Sequence, residues 1–81
     1  MYIINDDTLE EIKTITLLLT RREIRFLAGY ARQLLESQKS TDHVHLSDDD
    51  YVKEVTICLY DEMDVTSLDP QIQKIIQNGK K

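Results

Sequence analysis

His43-Val44-His45 is the local pattern with the widest chemical reach. In an extended strand, residues i and i+2 point the same way, so both imidazoles project from one face. Asp42 precedes them and Asp48, Asp49 and Asp50 follow. Together they offer the nitrogen and carboxylate donors that hold divalent cations. Two histidines are too few for a structural zinc site, and Cys58, the lone thiol, is expected in a different strand. The expectation is therefore no metal and no cofactor, with the histidines facing solvent or a partner at the start of a hairpin. A histidine beside an aspartate is also an acid/base pair. No nucleophile-elbow sequence, phosphate-cradling glycine loop or paired-cysteine motif accompanies it. A chain of 81 residues leaves little room for a pocket. The expectation is no enzyme and no catalytic residue.

The remaining candidates are charged or aromatic. Asp48, Asp49 and Asp50, with Glu54, Asp61, Glu62 and Asp64, make a run of negative charge. The spacing and glycine of an EF-hand are missing, so it is not a calcium loop. It reads either as a solvated turn and loop or as an acidic surface that steers a basic partner into contact. Arg21, Arg22, Arg25 and Arg32 form a basic patch on an acidic chain, suited to phosphate or to a carboxylate-rich partner. Phe26 and Tyr30 are an i, i+4 aromatic pair, either the rim of a core or an exposed anchor for another chain.

These side chains need elements to position them. Met1 to Asn5 reads as a short strand, followed by a turn at Asn5-Asp6-Asp7-Thr8. A longer strand is expected within Leu9 to Leu19, rich in Ile, Thr and Leu toward its end. Thr20-Arg21-Arg22-Glu23 is a capping box, so a helix starts here and runs to about Gln38. Ile24, Leu27, Ala28, Ala31, Leu34 and Leu35 fall within one stripe, the expected core face. Arg21, Arg25 and Arg32 lie beside that stripe. Phe26 and Tyr30 lie on the other flank. His43 to Leu46 and Tyr51 to Tyr60 read as two strands of a hairpin around the acidic turn. Asp69-Pro70 starts a short helix with Ile72, Ile75 and Ile76 on its apolar side and Gly79 at its end.

The order is β-β-α-β-β-α. The expected architecture is one α+β domain over residues 1–81. It has a small antiparallel or mixed sheet of three to four strands, the long helix across a face, and a short C-terminal helix. Ten Lys+Arg against fifteen Asp+Glu give a formal charge of -5. That excludes strong non-specific nucleic-acid binding by bulk charge, so no direct nucleic-acid partner is expected. The longest apolar run, Leu17-Leu18-Leu19, is far short of a membrane span. The start of the chain carries no basic segment or cleavage site of a signal peptide. A single cysteine fits a reducing compartment, so a cytoplasmic location is expected.

The helix from Thr20 and Glu23 to Leu34-Leu35, then Asp42-His43-Val44-His45-Leu46, then Glu54-Val55-Thr56-Ile57, resembles small α+β immunity proteins of bacterial polymorphic toxin systems. The similarity spans about residues 15 to 60, and His43-Val44-His45-Leu46 is its most specific part. The resemblance implies a non-enzymatic cytoplasmic protein that binds a cognate toxin and blocks its active site or a surface it needs. Such toxins include basic nucleases, which an acidic inhibitor suits. The expected contact surface is Asp48, Asp49, Asp50, Glu54, Asp61, Glu62 and Asp64, with Tyr51 or Tyr60 as aromatic anchors. Two alternatives stand beside it. One is a small homo-oligomeric regulatory or accessory protein, for instance a homodimer, that self-associates through Phe26 and Tyr30. The other is an acidic mimic of nucleic acid.

Overall fold

A computed structural model describes residues 1–48, 50 and 52–79. Its elements follow the order β1 (Ile3–Ile4), β2 (Glu11–Ile12), α1 (Arg21–Glu36), β3 (Asp42–Ser47), β4 (Glu54–Leu59) and α2 (Pro70–Gly79). The class is α+β, but the sheet differs from expectation. In place of one sheet of three to four strands there are two antiparallel pairs, β1 with β2 and β3 with β4. The chain also divides into two units, one of Met1–Leu17 with Met63–Lys81 and one of Leu18–Glu62.

In the terminal unit, Asn5 shapes the connection between the first two strands. Its Oδ1 accepts from the backbone N–H of Asp7 at 2.9 Å and of Thr8 at 3.2 Å. This is the aspartate/asparagine turn that favours the residue at loop starts. Leu9 closes the connection with φ 58, a left-handed conformation costly for a side chain with a Cβ. Register pairs Ile3 with Ile12 and Ile4 with Glu11. The strand expected through Leu19 stops at Ile12, and residues 13–20 form neither helix nor strand. Strand-favouring residues express that preference only on a pleated surface that packs them. None is present here: Ile15, Leu17 and Leu18 remain 51%, 45% and 91% exposed.

The helix α2 starts as its sequence requires. Asp69 Oδ1 accepts from the Gln71 N–H at 2.8 Å, and Pro70 takes the first helical position. Its one buried residue is Ile76, whose carbonyl accepts from the Tyr2 hydroxyl at 3.4 Å. The same ring crosses Gly79 so closely that a Cβ there would lie 2.8 Å from the Tyr2 oxygen.

The middle unit is α1 against the β3–β4 hairpin. The capping box is present in both directions: the Glu23 N–H donates to Thr20 Oγ1 at 3.2 Å and the Thr20 N–H to Glu23 Oε1 at 2.9 Å. Such a cap contributes about 1 kcal/mol. The helix ends at Glu36, two residues before the expected Gln38, where the Ser37 N–H turns back to the Leu34 carbonyl. The hairpin register pairs His43 with Cys58, Val44 with Ile57, His45 with Thr56 and Leu46 with Val55. Alternation then makes one face of Val44, Leu46, Val55 and Ile57, all buried or half-buried. The other carries His43, His45, Glu54, Thr56 and Cys58, all exposed.

The core face of α1 is narrower than its sequence indicates. Glu23, Leu27, Tyr30 and Leu34 are covered, but Ile24, Ala28, Ala31 and Leu35 are exposed. The cause is the width of the support. Strands lie about 4.8 Å apart, so two cover little more than one row of side chains on a helix about 10 Å across. Among the described residues of this unit, Leu34 and Leu46 are the buried hydrophobic ones.

Candidate functional site

The middle unit has an open cleft of 490 Å³ along the α1–β3 junction, lined by Arg22, Phe26, Tyr30, His45, Leu46, Ser47 and Asp48. Helical spacing sets three of these residues. Arg22, Phe26 and Tyr30 follow one another at i, i+4 and i+8 on α1. The Phe26 and Tyr30 rings stack with centroids 6.3 Å apart and planes 16° apart, and the Arg22 guanidinium lies 5.6 Å from the Phe26 centroid. Tyr30 is half-buried, while Phe26 stays 44% exposed. The two rings are therefore unequally placed: Tyr30 is part-covered and Phe26 stands in solvent.

Asp48 supplies the negative side of the cleft and also holds the hairpin turn. Its Oδ1 accepts from the N–H groups of Val52 at 2.9 Å and Lys53 at 3.1 Å. The Lys53 and Val52 N–H donors keep its carboxyl below the ordinary 3.8, against a smaller opposing effect of burial. Its Oδ2 lies 3.9 Å from Lys53 Nζ, a long and exposed pairing.

His45 is fixed by a carboxylate that the sequence reading placed in the acidic surface only. Its Nδ1 lies 2.7 Å from Glu54 Oε1 and 2.9 Å from Thr56 Oγ1. With its proton on Nδ1 the ring donates to Glu54, and this fixes its orientation. The signal that could have found this contact was the register. His45 faces Thr56, so Glu54 is its diagonal neighbour on the same face. The His43 and His45 rings meet edge to face at 5.0 Å, in line with the expected shared face. Cys58 is not separated from them by its strand, since it pairs directly with His43. Even so, among the described residues no three His, Cys, Asp or Glu side chains come together to hold a metal ion.

The expected acidic surface is brought together only in part. Asp48 and Glu54 join the middle unit's hairpin, with Asp50 exposed in its turn. Tyr60 and Asp61 are half-buried just beyond β4, and Glu62 is exposed. Asp64 falls in the terminal unit, where the Thr66 hydroxyl at 2.6 Å and then the Thr66 N–H at 3.1 Å hold its carboxyl below the ordinary 3.8. Asp49 and Tyr51 lie outside the described residues. Among the described residues, no helix is long and apolar enough to cross a membrane. Compared with known proteins, the chain matches no family model, no curated protein and no solved structure.

Proposed function

We propose that the protein is a non-enzymatic binding module of the immunity type, which neutralises a cognate basic toxin through the hairpin side of its middle unit. The observation that supports this reading is the juxtaposition in one cleft of an exposed aromatic anchor, Phe26, and the anionic turn residue Asp48. Aromatic anchors beside charged rims dominate the energetics of many protein interfaces. Of the acidic groups beside the cleft, Asp48 pairs with Lys53 and Glu54 with His45. Exposed Asp50 and Glu62 add negative charge to the middle unit, which speeds encounter with a basic surface. His45 stays engaged with Glu54 and orients the rim rather than carrying out a reaction.

Co-expression with a toxin domain encoded beside its gene tests this. The wild-type chain restores growth. Phe26→Ala, or Asp50→Lys together with Glu62→Lys, weakens toxin binding at least about tenfold. Circular dichroism checks that each variant keeps the fold. Asp48 is left intact because it holds the turn. Failure of the wild-type chain to protect, or full protection by the charge-reversed variant, overturns the reading.

A further inference from the structure

We infer that the solvent side of α1 is a second docking surface, built to take an amphipathic helix with acidic flanks. It is distinct from the cleft. Ile24, Ala28, Ala31 and Leu35 recur at intervals of four, three and four, the spacing of a two-helix seam. All four are exposed, Ile24 by 53% and Leu35 by 86%. The seam runs about 16 Å along the helix. Large residues stand at its ends and alanines in its middle, which lets a second helix approach closely and place its own large side chains over Ala28 and Ala31.

Charge identifies the occupant. At 100° per residue, Arg21, Arg25 and Arg32 line the seam's solvent flank, and the other flank is the row packed on the hairpin. Among the described residues none of these three guanidinium groups has a hydrogen bond or ion pair. A helix lying in the seam therefore meets three unpaired guanidiniums, and carboxylates along its facing edge satisfy them. A second copy of the chain fits less well. Its antiparallel pairing matches Ile24 with Leu35 and Ala28 with Ala31, but sets Arg25 against Arg32 of the second copy. The chain's own α2 carries Lys74 and no acid, so its charge does not match either. A single seam of this length gives a small interface of the transient class.

The test uses the full chain and two synthetic helical peptides. Both have leucine at the seam positions, one with glutamate on both flanks and one with lysine. Fluorescence anisotropy is expected to show the glutamate peptide binding at least tenfold more tightly, with affinity that falls as salt rises. Amide shifts should be confined to α1 around Ile24, Ala28, Ala31 and Leu35. Arg25→Glu with Arg32→Glu lies on the exposed side of the helix and should reverse the preference between peptides. Equal binding of the two peptides, no binding of either, or sedimentation showing a stable dimer whose seam is protected overturns the proposal. None of these outcomes depends on toxin neutralisation, so this surface and the cleft reading stand or fall separately.

Discussion

Asp48 shows how much one side chain's duty depends on its neighbours. In sequence it is the first of three aspartates, with nothing to distinguish it from Asp50. Folded, it accepts two backbone N–H groups across the turn, while Asp50 is exposed. Asp48 therefore holds the hairpin turn and also lines the cleft beside Phe26. Its depressed proton affinity has a consequence for stability. The folded form binds the proton more weakly than the unfolded chain, so the contribution is complete above 3.8 and is lost as pH falls through the lower folded value. Melting temperature followed from about pH 5 down to about pH 2 should fall in the wild-type chain. Asp48→Asn should fall less, because it has no charge to lose. Asp42 shares this trend, with its carboxyl held down by the His43 N–H and the Ser37 hydroxyl, so some acid sensitivity remains. An acid limb unchanged by Asp48→Asn would show that the turn does not depend on that charge.

At the scale of the element, α1 combines what was legible with what was not. Its start was legible because a capping box is a local device, closed within four residues by side-chain and backbone groups. Its buried face was not, because burial depends on how wide a surface packs against it. Leu34 and Leu35 are sequence neighbours of one type, both expected in the core, yet only Leu34 is buried, at 8% exposure. Leu34→Ala should cost about 2–3 kcal/mol by lost transfer energy and an incompletely filled cavity. Leu35→Ala should stay within about 0.5 kcal/mol. Chemical denaturation of the two variants measures both. Equal large losses would mean that the outer stripe is buried in the free protein, and the seam would then be no docking surface.

For the whole molecule, the consequence of two small sheets is a core divided between units. Leu34 and Leu46 anchor one and Ile76 the other. Protection against amide exchange should therefore be patchy. In the middle unit the slowest amides should cluster in the paired backbone of β3–β4 and around Leu34. In the terminal unit they should surround Ile76. Residues 13–19, extended in expectation but unpaired in the structure, should exchange close to the unprotected rate; strong protection there would restore the longer strand.

Local interactions were decided by the sequence alone. The capping box and the Asp69-Pro70 helix start each depend on residues a few positions apart, the β3–β4 hairpin on two strands adjacent in the chain, and the excess of negative charge on composition. Tertiary structure decided how many strands share a sheet, which row of α1 is covered, and which charges stand beside Phe26. Those outcomes depend on pairings between segments far apart in the chain. They must offset the entropy of closing long loops, and no short stretch of sequence carries that balance.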